Sequence, residues 1–187
     1  MAKFAAEKRE IFYAAFSTAQ KSVPQGFAPD ILEKEVKQAT KMLGIAPGNL
    51  FIYDFPVREF PSHRQEILEI MVDLKKKLQP QLVFIPSSCD LHQDHYAVAR
   101  EGIRAFKDTN VLGYEEPWNN LQFYPGCFVP LSEEDLKKKL HAIACYRSQS
   151  HRAYAEESFI RGWAGMRGVQ ANTCLAEGFE VIRLFLR

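Results

Sequence analysis

Cysteine is sparse and unpatterned: Cys89, Cys127, Cys145 and Cys174 are scattered, with no Cys-x-x-Cys pair. That spacing excludes a zinc ribbon and a secreted disulfide framework, and it makes a reducing cytoplasm the expected location. No Gly-x-Gly-x-x-Gly follows an apolar run, which removes the dinucleotide-binding fingerprint. Long apolar runs are missing as well. Nothing approaches the roughly 18 residues of a membrane span, and no charged segment leads into a signal-type apolar core at the start, so the expected chain is soluble. Charge of one sign is also absent, since 24 Lys and Arg stand against 23 Asp and Glu for a net +1. No electrostatic pull toward nucleic acid or an anionic membrane follows from that balance, and a polar sugar or other small molecule fits better. There is no repeat, low-complexity tract or Gly/Ser linker. What is present, 187 residues at 47% hydrophobic and 25% charged, has the make-up of one globular domain over 1–187.

Apolar and polar residues alternate in blocks of strand and helix length. Ile11 to Phe16 and Leu50 to Tyr53 predict short strands. Asp30 with Glu33, and Ser62 with Gln65, have capping-box spacing ahead of apolar residues at helical intervals, and Gly44 and Gln79-Pro80 suit helix ends. Leu82 to Ile85 is uninterrupted apolar sequence, the mark of a strand covered on both faces. A helix through Val98, Ile103 and Phe106 should follow it, with strands near Val111 to Tyr114 and Phe128-Val129. The remaining expectations are a Ser132-capped helix and a last strand from Phe179 to Leu186. Strands alternating with helices predict an α/β fold with a mostly parallel sheet and right-handed crossovers.

The densest chemistry leaves the Leu82–Ile85 strand. Asp90-Leu91-His92-Gln93-Asp94-His95 packs two imidazoles and two carboxylates into six residues, at the end of the strand where ligands bind in open α/β sheets. His92 and His95 are three apart, so on a helix both rings project to one side and can approach one metal ion or one substrate atom. Neutral imidazole is the commonest metal ligand, and a neighbouring Asp can hold its second nitrogen. A catalytic zinc takes three protein ligands plus water, so two His alone do not complete a site. The plain alternative is that His92 caps the helix, Asp94 answers its dipole and His95 packs.

In these residues the chain resembles the PIG-L/LmbE-like zinc-dependent de-N-acetylases, enzymes that remove acetyl groups from N-acetylglucosamine-type sugars. That family carries a His-Pro-Asp-His element after an apolar strand ending in Pro, which corresponds here to Val83-Phe84-Ile85-Pro86 through His92-Gln93-Asp94-His95, with Gln93 in place of Pro. The resemblance continues in Ile31 to Ile45, in Tyr146-Arg147-Ser148-Gln149 and in Ala176-Glu177-Gly178-Phe179-Glu180. It implies a Rossmann-like three-layer α/β/α fold, zinc as cofactor, and His95 as a zinc ligand. His92 is implied to polarise the substrate carbonyl, stabilise the oxyanion or protonate the leaving amine, with Asp94 orienting it. The family opens with a strand running into Ala-His-Pro-Asp-Asp, which supplies further zinc ligands and the general base. No such segment occurs here. Met1 to Glu7 reads as the back half of the helix that follows that motif, so the first strand of the fold is expected to be missing.

Glu115-Glu116-Pro117-Trp118-Asn119-Asn120 forms a loop with an aromatic platform and amides, suited to stacking on a sugar and bonding its hydroxyls; it can equally be a surface turn with Trp118 pinned into the core. Arg58 and Arg64 flank Phe60-Pro61. Arg64 is a substrate-binding candidate through bidentate contact with an anionic group, against the plainer reading of a solvated arginine at a helix start. Tyr146, Ser148, Gln149, Arg152, Arg161 and Arg167 lie in a Gly-punctuated region that could close as a lid. Glu177 and Glu180 surround Gly178 at an expected helix-to-strand corner. The complete fold would hydrolyse an N-acetyl group from an amino sugar or conjugate with zinc-activated water. This chain alone is expected to be impaired or inactive, and to form a homo-oligomer because a sheet lacking a strand exposes unpaired edges. The alternative is a carbohydrate-binding or assembly module that has lost the metal.

Overall fold

The computed structural model describes residues 1–186. The order of elements is helix α1 (Ala2–Ala6), strand β1 (Tyr13–Ala15), helix α2 (Ile31–Met42), strand β2 (Leu50–Ile52), helix α3 (Arg64–Leu78) and strand β3 (Leu82–Pro86). Helix α4 (Gln93–Ala105), strands β4 (Asn110–Tyr114) and β5 (Cys127–Pro130), helices α5 (Glu133–Ala144) and α6 (Glu157–Gln170), and strand β6 (Ala176–Arg183) follow. The protein is mixed α/β, as the alternation of patterns predicts. It divides into two compact units, one of Met1–Val57 with Pro130–Glu177 and one of Arg58–Val129 with the segment from Gly178 onward.

In the first unit β1 and β2 form a two-stranded parallel sheet in which Ala14 is paired with Phe51. Helix α2 ends as expected, with Gly44 at φ +86 after its last turn. Asp30 makes no cap bond. Its carboxylate instead pairs with Lys34 Nζ at 2.7 Å, one turn into the helix. Leu136 of α5, Ile160 and Ala164 of α6, and Leu175 form a buried core, with Leu140, Ile143 and Trp163 packed against it. The expected Ser132 cap is present as a full capping box, the Ser132 hydroxyl accepting the Asp135 N–H while the Asp135 carboxylate accepts the Ser132 N–H. Of the residues anticipated in a lid, Ser148 and Gln149 lie in a 3-10 turn over Arg147–Gln149, whereas Arg161 and Arg167 lie in α6, whose apolar side is part of this core. Its four-residue rhythm of Ile160 and Ala164 is hidden in the sequence by three glycines, Gly162, Gly165 and Gly168.

The second unit carries the larger sheet. Its strand order is β3-β4-β6-β5; β3 and β4 are parallel, whereas β4 and β6 are antiparallel with an irregularity between Val111 and Leu112. The final strand thus begins at Ala176, earlier than expected. Gly178 and Glu180 lie within a strand and not at a corner. Helix α4 lies directly on β3: a Cβ at Gly102 would stand 2.9 Å from Ile85 Cγ2, so only glycine permits this approach. Ile67 and Val111 are fully buried, each contributing about 1.5–3 kcal/mol through loss of apolar contact with water. Ser62 caps nothing, because a 3-10 turn over Phe60–His63 precedes α3. Gln79 closes α3 in the left-handed region at φ +45, which turns the chain directly into β3.

Candidate metal centre

Because β3 and β4 are parallel neighbours, the turns that leave them lie side by side, and each delivers one half of a cluster. After Pro86 the chain makes a turn in which the Asp90 N–H donates to the Ser87 carbonyl at 3.1 Å. Asp90 is buried, and one of its oxygens accepts the His92 N–H at 2.8 Å. Its other oxygen lies 3.0 Å from His95 Nδ1. After Tyr114, the Asn119 and Asn120 N–H groups close a turn on the Glu116 carbonyl at 2.8 and 2.9 Å. The Asn120 Oδ1 accepts the Glu116 N–H at 2.7 Å. Glu116 Oε2 then stands 3.3 Å from the same His95 Nδ1 and accepts from Asn119 Nδ2 at 3.2 Å. The two turns are joined where the Leu91 N–H donates to the Asn119 carbonyl at 3.3 Å.

His92 is the N-cap of α4, with its Nδ1 accepting the Asp94 N–H at 3.2 Å. Its proton in the neutral ring is therefore on Nε2. The His92 and His95 rings stack with centroids 4.6 Å apart. Burial alone would lower the pKa of His95, but the Asp90 hydrogen bond and the charges of Glu116, Asp90 and Asp94 outweigh it and raise the value above 6.5. Burial, with a smaller contribution from Asp90, raises that of Glu116 against the opposing pull of His95.

The donor atoms of Asp90, His95 and Glu116 all lie within 4.8 Å of one another. One proton on His95 Nδ1 bonds one carboxylate well, not two. A divalent cation satisfies both carboxylates and the ring nitrogen together. Metal–ligand bonds of about 2.0–2.2 Å put neighbouring vertices of a tetrahedron about 3.4 Å apart, close to the observed 3.0 and 3.3 Å from His95 Nδ1 to its two carboxylates. One nitrogen and two carboxylate oxygens are a donor set that a zinc-type ion accepts. The residues present thus fit a zinc-type ion.

Of the residues singled out from the sequence, His92, His95 and Asn119 meet at this cluster. Asp94 is buried, but its carboxylate is directed away from His92, accepting the Arg58 and Phe60 N–H groups at 2.5 and 3.2 Å. Its direct hydrogen bond with His92 is made by its backbone N–H. Asn120 supports the Glu116 turn from a buried position, and Trp118 is 42% exposed nearby in the chain. Arg64 is engaged with the fully buried Glu101 through Nε and Nη2, each at 2.6 Å. Sequence reasoning alone does not single out Asp90 or Glu116 as candidate ligands. The only signals were their types, a carboxylate opening the histidine motif and another in the following loop, and strand pairing is what joins them. Pro61, Leu91, Gln93 and Tyr96 line a shallow groove beside Asp90.

A mixed α/β protein with a His-carboxylate cluster at the C-terminal ends of parallel strands has its candidate site where α/β folds bind ligands. The family PIG-L, described as GlcNAc-PI de-N-acetylase, matches residues 1–106, and the chain belongs to that family. No curated protein sequence matches the chain. Among solved structures, it is similar to N,N'-diacetylchitobiose deacetylase from Pyrococcus horikoshii, with 19% identity and a TM-score of 0.80 over 97% of this chain and 76% of that one. GalB, the 4-carboxy-2-hydroxymuconate hydratase from Pseudomonas putida KT2440, has 18% identity and a TM-score of 0.79 over 100% of this chain and 89% of that one. The zinc-inhibited form of teicoplanin deacetylase Orf2 has 14% identity and a TM-score of 0.75 over 95% and 89%. Likeness at these identities carries the architecture and not the reaction, as the hydratase among them illustrates. Among the described residues no helix is long and apolar enough to cross a membrane.

Proposed function

We propose that this protein is a metal-dependent de-N-acetylase of an N-acetylglucosamine-type sugar or sugar conjugate. The observation that carries the reading is the convergence of Asp90, His95 and Glu116 donor atoms beside a histidine whose Nε2 bears the proton. Asp90, His95 and Glu116 would hold the zinc, which when bound supplies an acidified water and polarises the amide carbonyl. His92 is fixed by the Asp94 N–H at its Nδ1, so Nε2–H is the atom that donates to the oxyanion or to the leaving amine. Asp94 contributes by locking the start of α4 to the 58–60 segment, which holds that ring in place. Trp118 and Asn119 supply a stacking face and an amide for sugar hydroxyls, with Asn120 behind them. Arg64, tied to Glu101, acts on substrate only by leaving that pair.

A second reading is a carbohydrate-binding or assembly module without catalysis, in which the exposed Trp118 and the Asn119 amide serve binding alone. Assembly into a homo-oligomer belongs to the same proposal; β3 stands at the edge of its sheet, with β4 as its neighbour, and such an edge can pair with another chain. The test is acetate release from N-acetylglucosamine and diacetylchitobiose by the full chain, with zinc and after chelation. Metal-dependent acetate release is expected. Stoichiometric zinc binding with no release from either sugar supports the non-catalytic reading instead.

A further inference from the structure

Glu180 lies on β6, outside the stretch matched by the family and two strands away from the turn that carries Asp90. Its register partner on β4 is Gly113, and Gly113 in turn pairs with Ile85 of β3. The Glu180 side chain extends across Gly113 toward the end of β3. A Cβ at Gly113 would stand 2.8 Å from Glu180 Oε2 and 3.1 Å from Ser87 Cα, so the crossing is open only because residue 113 has no side chain.

At the far side the carboxylate is met by three donors. Glu180 Oε2 accepts from Ser87 Oγ at 2.9 Å and from the Ser88 N–H at 2.8 Å. Oε1 accepts from Ser88 Oγ. Ser87, 1% exposed, passes this constraint on: its hydroxyl accepts the Cys89 N–H at 3.2 Å and its carbonyl accepts the Asp90 N–H at 3.1 Å. One carboxylate therefore fixes the first residues of the turn, and the turn fixes Asp90. A surface serine turn needs no such anchor.

We propose that Glu180 is a positioning residue for the metal centre, holding Asp90 in ligating position through Ser87 and Ser88. The proposal rests on the reading of Asp90, His95 and Glu116 as metal ligands. Outer residues that orient ligands typically change metal affinity by about 10- to 100-fold when replaced. The hydrogen bonds of Glu180 go to Ser87 and Ser88 and not to Asp90, His95 or Glu116, so its effect is expected on affinity and on loop order rather than on the fold.

The experiment compares the full-length wild type with Glu180→Gln and Ser88→Ala, reading zinc affinity by competition titration and amide hydrogen exchange at residues 88–90 without metal. Gln keeps the shape but turns an NH2 toward groups that are themselves donors. The Glu180→Gln variant should bind zinc about 10- to 100-fold more weakly and exchange faster at 88–90, with exchange in α3 and α6 unchanged. Ser88→Ala, which leaves the Ser87 relay intact, should show a smaller change of the same sign and covers the case in which Glu180→Gln does not fold. Unchanged zinc affinity in variants of a zinc-binding wild type overturns the positioning role alone. A wild type that binds no zinc overturns the metal-centre reading, and this role with it.

Discussion

His92 Nδ1 accepts the Asp94 N–H at 3.2 Å, while His95 Nδ1 faces the carboxylates of Asp90 and Glu116. The two histidines of one motif are thereby set in different surroundings, one with its neutral-ring proton at Nε2 and the other with Nδ1 turned to two carboxylates. Substitution separates them. His95→Ala should abolish stoichiometric zinc binding, whereas His92→Ala should retain zinc and lower deacetylation by about 10²- to 10⁴-fold, the usual contribution of a general acid. Zinc content by elemental analysis and acetate release on the same samples decide the matter; equal loss of zinc in both variants refutes the division of roles.

The same cluster predicts opposite pH trends with and without metal. His95 has a raised pKa in the folded protein, so its ion pairing contributes stability below the ordinary value of 6.5 and loses it as pH rises through the folded value. Metal binding must displace that proton, so zinc affinity should rise with pH up to the folded value, which lies above 6.5, and level off beyond it. Thermal melts of the metal-free chain and zinc titrations, both taken across pH 6 to 8.5, check the two signs. A zinc affinity independent of pH there would show that His95 is not a ligand.

The sequence made most elements legible, because apolar periodicity follows from which face is buried. The α4 helix could be read that way, Leu82–Ile85 as an uninterrupted apolar run, and the start of α5 from a Ser132 cap. What could not be read depended on pairing at a distance. Glu116 becomes a neighbour of His95 only when β3 and β4 align in parallel, and Glu180 reaches Ser87 only through the antiparallel pairing of β6 with β4. Nothing local marks either contact. The caps expected at Asp30 and Ser62 failed for local reasons: Lys34 competes for the Asp30 carboxylate, and a 3-10 turn carries the chain past the Ser62 hydroxyl.

Arg64 offers a further separation of structure from function. Glu101 is fully buried and its carboxylate is shared between Arg64 at 2.6 Å and Arg104 at 2.5 Å. Arg64→Ala should cost about 1.5–3 kcal/mol, the range for a hydrogen bond to a charged group, with the lower end favoured because Arg64 is half exposed. Arg104 still answers the buried charge. Chemical denaturation gives the stability change; an unchanged midpoint with weakened sugar binding would instead assign Arg64 to substrate.

Two glycines of α6 should respond in opposite directions to the same change. A Cβ on Gly168 would stand 2.5 Å from the Cys174 carbonyl oxygen and 2.8 Å from the Leu175 nitrogen, both backbone atoms. That segment cannot withdraw freely, because Leu175 is in the core and its carbonyl accepts the Leu131 N–H at 2.9 Å. Gly168→Ala should therefore destabilise by about 1–3 kcal/mol through overpacking. At Gly165 a Cβ meets nothing within 4 Å, so Gly165→Ala gains helix propensity without a clash and should stabilise by about 0.5–1 kcal/mol. Each kcal/mol moves the melting temperature by about 2–4 °C in a chain of this size, well within reach of a calorimetric comparison. Stabilisation at both positions would mean that the 173–175 turn yields to α6, and that the close approach at Gly168 is a convenience of packing rather than a requirement of the fold.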